Sequence, residues 1–258
     1  MNRDRLSALI ALLPDTGRLL PLADADAARL GFGADTVDAR LGGGLAAAAL
    51  HELYPAAAGD ATAAAAVALL LAGRNPRPGP IIWLRPDRAA RQGRPYGLGL
   101  AALGLDPARL LLVQAPDMLA VLRAGADAIA CGAVATVILE VESKAVDLTA
   151  TRRLALAAAR SGVTTLLLRS GEIAPSAADT RWQVAAAPSR PLPANAPGAP
   201  AFALKLLRHR GGLPGFSCLL EWDRDRAAFA AADTRVAPAV AAERAAVPRR
   251  PAPRRRAA

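Results

Sequence analysis

Aromatic residues make up only 3% of this chain, cysteine and histidine occur twice each, and only Lys144 and Lys205 are lysines among 32 basic residues. Cys131, Cys218, His51 and His209 are too few and too dispersed to supply the closely spaced ligands of a structural zinc site, and two cysteines exclude a disulfide scaffold. No apolar run reaches the roughly 18 residues of a membrane span. The longest, Ala63 to Ala72, is mostly alanine. A soluble, cytoplasmic protein is expected. Arg3 and Arg5 before the run Leu6 to Leu13 loosely imitate a secretion signal, but Asp4, Pro14, Asp15 and Arg18 interrupt the pattern, so residues 1–24 are expected to form an amphipathic helical segment.

What is present is 258 residues, 53% of them hydrophobic, with a net charge of +10. That is enough chain for one or two domains with a core of their own. The charge is uneven: residues 237–258 hold Arg244, Arg249, Arg250, Arg254, Arg255 and Arg256 against the single acid Glu243, with no apolar side chain larger than valine. Nothing there offsets the entropy of ordering the chain, so 236–258 is expected to be a disordered basic tail, suited to phosphates or an acidic surface. Pro188, Pro191, Pro193, Pro197 and Pro200 mark a second flexible stretch at 185–200.

Between these breaks, residues 25–235 are expected to form the core. Short apolar runs at 81–84, 110–113, 137–141 and 163–168 read as buried strands. They alternate with helical patterns at 63–72, 118–129 and 147–161. In the second of these, Met118, Val121, Leu122, Gly125, Ala126 and Ile129 recur at three and four, opposite Arg123 and Asp127. Alternation of this kind predicts an α/β fold with a mostly parallel sheet and helices on both faces. Phe202 to Leu207 and Phe216 to Trp222, around Gly211 and Gly212, predict a C-terminal antiparallel hairpin.

Ligands of such sheets sit beyond the carboxyl ends of the strands. The segment from Leu50 to Thr62, running into the helical stretch at 63, has the strand, small-residue loop and helix of a phosphate-binding P-loop. Its chemistry is missing. Asp60 and Ala61 follow Gly59 where a lysine and a hydroxyl are needed, and a carboxylate in a phosphate cradle repels the ligand. Asp60 and Thr62 are expected to cap the next helix. The run Val137 to Glu142 ends as a Walker B strand does, with Glu140 and Glu142 on one side. His51, beside Glu52, reads as a satisfied strand-end histidine. Arg208, His209 and Arg210 form a cationic cluster at the hairpin turn, fit for phosphates or an acidic partner.

In order, these pieces resemble a RecA-type core. The resemblance is carried by Gly31 to Leu45, with Asp38 and the Gly42-Gly43-Gly44 turn, then by Leu50 to Tyr54, Tyr96 to Val113, the helix after Pro116-Asp117, the strand ending at Glu140, and Leu204 to Arg210. Together with the altered P-loop, a short loop at 171–179 and the basic tail, the chain is similar to the ImuA family, RecA-like accessory components of bacterial damage-induced mutagenesis.

That resemblance implies a role in error-prone translesion synthesis and the SOS response, beside an ImuB-like Y-family polymerase homologue and an error-prone replicative-type DNA polymerase, with RecA and non-specific DNA as further partners. Asp60 stands at the P-loop lysine, Glu140 at the Walker B aspartate, and Arg85-Pro86-Asp87 near the catalytic glutamate. Gly59, Asp60, Ala61, Thr62 and Glu140 are therefore expected to form a vestigial nucleotide site, with no cofactor, metal or catalytic residue. Partner and DNA contacts are expected at Arg208, Arg210, Phe229, Arg249, Arg250, Arg254, Arg255 and Arg256, with the partner contact carried from the hairpin onward. Two other readings remain open at this level: a recombinase-class nucleotide-binding ATPase or regulator, and a SulA-like cell-division inhibitor.

Overall fold

The computed structural model describes residues 28–232, so the expected N-terminal segment 1–24 and basic tail 236–258 lie outside the described residues. The described residues begin with a two-stranded antiparallel ribbon, β1 (Arg29–Leu30) against β2 (Leu45–Ala46), with the short helix α1 (Asp35–Arg40) between them. Gly42, Gly43 and Gly44 all take positive φ in the turn that closes the ribbon. A Cβ on Gly44 would run into the carbonyl of Leu30, so only glycine fits there.

Nine strands form the main sheet. They are β3 (Leu50–Pro55), β4 (Ile81–Pro86), β5 (Leu110–Ala115), β6 (Thr136–Glu142), β7 (Thr164–Ser170), β8 (Thr180–Ala187), β9 (Ala201–His209), β10 (Ser217–Asp223) and β11 (Ala228–Ala231). Their order across the sheet is β11-β10-β9-β8-β3-β7-β6-β4-β5. From β8 to β5 every neighbouring pair is parallel. From β8 to β11 every pair is antiparallel. The expected α/β architecture with its C-terminal hairpin is therefore present.

Helices cover the sheet from two sides. On one lie α1 and α2 (Ala61–Gly73), whose Val67, Leu69, Leu70 and Leu71 pack with Leu53, Trp83, Ile138 and Leu166. A helix apolar all round is one buried nearly all round, and α2 is buried at Ala63, Ala64 and from Val67 to Ala72, with Ala65 and Ala66 half-buried. The short helix α3 (Gly97–Ala102) adds Leu100 to the same layer. On the other side lie α4 (Met118–Ala130) and α5 (Leu148–Ser161). All six residues of the predicted α4 stripe are buried. Asp117 and Asp147 start these helices by accepting from Ala120 N and Ala150 N, each at 2.8 Å. At their far ends one guanidinium serves both, since Arg77 donates to the carbonyls of Gly132, Ser161 and Gly162.

The structure corrects three expectations. The stretch 185–200 is not wholly irregular: β8 runs on to Ala187, and Leu192 bridges Ala196 around a 3-10 turn at Pro193–Asn195. A further strand, β11, follows the hairpin and pairs with β10. Phe229, expected at a partner contact, lies on that strand and is fully buried, with its ring 5.0 Å from Trp222, 5.8 Å from Phe32 and 6.2 Å from Phe202. Four of the chain's few aromatics, Phe32, Phe202, Trp222 and Phe229, meet in this core.

Candidate functional site

The chain leaves β3 at Pro55 and passes through the small residues of a 3-10 turn at Ala58–Asp60 into α2. Its neighbours at this end of the sheet are the carboxyl ends of β4, β6 and β7, and between them opens a cleft of about 440 Å³. Ala61, Thr62 and Glu140 line it. Three of the five expected site residues are thus brought to one place, at the crevice beyond the strand ends where parallel sheets bind ligands, while Gly59 and Asp60 do not line it.

Their hydrogen bonding is not that of a phosphate cradle. One Asp60 oxygen accepts from Ala57 N at 3.1 Å, and the other accepts from Ala186 N of β8 at 2.9 Å. The carboxylate thus holds an amide of its own loop, where a P-loop turns its amides to a phosphate. Asp60 was expected to cap α2 and does not, since no side chain caps that helix. It ties the loop to β8 instead. Thr62 lies exposed on the first turn.

Glu140 is engaged by an ion pair, without a hydrogen bond among the described residues. Arg85, at the end of β4, places Nε 3.1 Å from Glu140 Oε2 and donates through its two Nη atoms to the carbonyls of Gly93 and Ala89, both at 2.8 Å. This guanidinium is 5% exposed, so the charge beside Glu140 is a permanent part of the fold. Glu142 pairs with Arg88 at 2.7 Å and with Lys144 at 3.6 Å. The two glutamates do not form an acid pair, because each has its own cation. No group of three or more potential metal ligands exists among the described residues. A magnesium-bound nucleotide needs a lysine for the β- and γ-phosphates, an adjacent hydroxyl and an uncommitted strand-end acid. The residues here do not fit it.

Behind the cleft lies an ion cluster that the sequence did not suggest. Glu52, on β3, is fully buried and meets Arg169 Nη1 at 2.7 Å and Arg181 Nε at 2.8 Å. Arg169 also donates to the carbonyls of Ser143 and Val146, and Arg181 to that of Ala174. The signal was present as an arginine after the apolar run of two strands, Arg85 after Leu84 and Arg169 after Leu168. Choosing their acids requires the strand order.

His51 is satisfied, as expected. Its Nε2–H donates to the carbonyl of Ala46 at 2.9 Å, and Nδ1 lies 2.8 Å from Thr180 Oγ1, which in turn accepts from Trp182 Nε1. Burial pushes its pKa below the ordinary value, against the opposing pull of Asp179 and the Ala46 carbonyl.

Arg208 and Arg210 are exposed at the far end of the sheet. The register pairs Thr180 with His209 but Ala186 with Phe202, so β9 ends where β8 begins, some six residues or about 20 Å from the cleft. Arg208 donates to the carbonyl of Ser176. Arg249, Arg250, Arg254, Arg255 and Arg256 lie outside the described residues.

The strand order, with the chain leaving β3 and the acid of β6 meeting at one cleft, defines a RecA-like core. No known protein-family profile matches the chain. Protein ImuA of Caulobacter vibrioides is 36% identical over 203 residues, covering 72% of this chain and 80% of the relative, and the ImuA of a second strain of that species matches to the same extent. The chain belongs to the ImuA family.

Proposed function

We propose that this protein is a non-catalytic RecA-like accessory of damage-induced, error-prone translesion DNA synthesis, acting as a scaffold beside an ImuB-like Y-family polymerase homologue and an error-prone replicative-type DNA polymerase. Family membership supports the setting. The observation that carries the non-catalytic part is the Arg85–Glu140 ion pair. An acid that places Mg²⁺ must present its oxygens to the metal's water shell. Here a buried guanidinium, itself anchored by two carbonyls, already meets that carboxylate, and Asp60 adds negative charge where phosphates would sit. Restoring a lysine at position 60 would leave the metal side blocked.

The test is ATP turnover by the purified full-length chain with Mg²⁺, with and without single-stranded DNA. No turnover above the protein-free rate is expected. DNA-stimulated hydrolysis that disappears in Glu140→Gln would overturn the proposal and favour a recombinase-class ATPase.

A further inference from the structure

The main sheet has two edges, and only one of them is covered. Along β11, Phe229 N donates to the carbonyl of Phe32 at 2.9 Å, so the segment after β1 lies on that edge. At the other end β5 pairs with β4 alone among the described residues. An edge strand presents a row of unpaired amides and carbonyls, which soluble proteins guard with a charge, a proline, a bulge or a very short strand. Leu110-Leu111-Leu112-Val113-Gln114-Ala115 has none of these, and its six residues run without a bulge beside Ile81 to Pro86. Leu110 and Leu112 pack into the α2 layer and Val113 into the α4 layer, while Leu111 is 53% exposed. A backbone edge of this kind takes one class of ligand, another extended strand.

The surroundings of the edge select which strand. Arg94 meets Gln114 Oε1 at 3.1 Å, and a Cβ on Gly97 would lie 3.7 Å from that of Pro107, so residues 94–97 run beside β5 from its end towards its start. Tyr96 and Leu98 lie there, and with Leu111 they make three of the six large apolar side chains that the described residues leave exposed. Each end of the edge also carries both signs of charge. Asp106 and Arg109 precede β5, and Arg94 and Asp117 lie at its end. Arg94 and Asp106 are exposed, and neither makes an ion pair among the described residues. A copy of β5 laid parallel would set like charges together. Laid antiparallel about a two-fold axis perpendicular to the sheet, it sets start against end, with Asp106 towards the copy's Arg94 and Arg109 towards the copy's Asp117. The same axis keeps α3 and its copy on one face, so Tyr96 and Leu98 meet their own counterparts. A surface that complements itself is what a two-fold interface requires.

We infer that two copies of this chain pair through β5, antiparallel about a two-fold axis, so that their sheets join into one. The contact closes on itself and stops at two chains. The two clefts then open at opposite ends of the joined sheet. Such a pair forms whether or not the cleft binds a nucleotide, so it is tested apart from the scaffold reading.

Sedimentation velocity of the full-length chain in about 0.15 M salt provides the test. A two-chain species is expected to build up with concentration and to grow no further. Leu111→Lys puts on the edge the charge with which natural edges are guarded, and should weaken the pair at least about tenfold. Arg94→Glu and Asp106→Arg should each do the same, since each sets like charges together twice in one pair. All three side chains are exposed, so circular dichroism should be unchanged. An equimolar mixture of the Arg94→Glu and Asp106→Arg chains should recover the two-chain species, because in a mixed pair both contacts join opposite charges. Hydrogen exchange gives a second readout: the amides of residues 110–115 should exchange more slowly in the natural chain than in Leu111→Lys at the same concentration. A one-chain mass at every concentration, an undiminished pair in any of the three variants, or a mixture that recovers nothing overturns the inference. Species that grow past two chains overturn it in favour of an open, head-to-tail contact.

Discussion

Glu52 has no water to solvate it, so both of its oxygens depend on Arg169 and Arg181. Taking one partner out of a buried ionic group leaves the others uncompensated. Glu52→Gln is therefore expected to destabilise the fold by about 3–5 kcal/mol, read as a lower urea midpoint at unchanged slope. His51, its neighbour on β3, sets a pH dependence. Burial holds it neutral in the folded chain, whereas in the unfolded chain it binds a proton near its ordinary pKa of about 6.5. The unfolded state gains the proton first as pH falls, so stability is full above that value and is lost on acidification through it, by up to about 1.4 kcal/mol per pH unit. Urea midpoints measured from pH 7.5 to 5.5 should fall for the natural chain and stay flatter in His51→Gln. At this scale the sequence was legible where a residue's partners are local or its burial obvious, as for His51. It was silent on Glu52, whose cations come from positions 117 and 129 residues later.

Among the elements, periodicity located α4 residue by residue because one face of that helix does nothing but pack. It missed β8, whose second half is Ala185-Ala186-Ala187 running into prolines, a composition with no strand preference of its own. The strand exists because β3 and β9 flank it. It missed β11 for a similar reason, since four residues pair there only because β10 offers an edge. Phe229 then completes the aromatic cluster of Phe32, Phe202 and Trp222. Phe229→Ala is expected to cost about 3–5 kcal/mol, and deleting everything after Trp222 should unfold the core, which circular dichroism melting would show as a lost transition. The candidate site was legible as a loop and an acid, because P-loop and Walker B positions are fixed along the chain. The grip of Arg85 on Glu140 was not, because β4 and β6 become neighbours only in the assembled sheet, where Leu84 stands opposite Leu139 and the next residues meet.

For the molecule as a whole, charge and thiols give further tests. If the arginines after position 236 meet DNA phosphates, binding of labelled single-stranded DNA should be weak, independent of sequence and steeply salt-dependent, since each phosphate neutralised releases counterion. A chain ending at Val236 should lose both affinity and salt slope, and equal behaviour of the two chains would remove the tail from DNA binding. Of the two free cysteines, Cys131 is exposed, while burial pushes the Cys218 thiol up to about 11 despite the nearby Arg40. The thiolate is the reacting form. A maleimide at pH 7.5 should therefore label Cys131 well before Cys218, as peptide mass mapping would show.

The two packed layers also differ in how far apart their parts lie along the chain. The layer under α4 and α5 is drawn mostly from residues 115–178, with Leu50 and Leu84 joining from earlier. The layer around α2 cannot close until Trp182, Phe202, Trp222 and Phe229 have joined Phe32 and Leu53. During synthesis from the amino end, the first layer is complete while the second still waits for its last third, and domains assemble as their contacts become available. A released chain ending near residue 190 should resist protease across α4 and α5 while remaining cleavable between residues 30 and 70. Until the final strand has joined, the aromatic corner around Phe229 stays open, and α2 is covered only by the sheet residues that precede that strand, Leu53, Trp83, Ile138 and Leu166 among them.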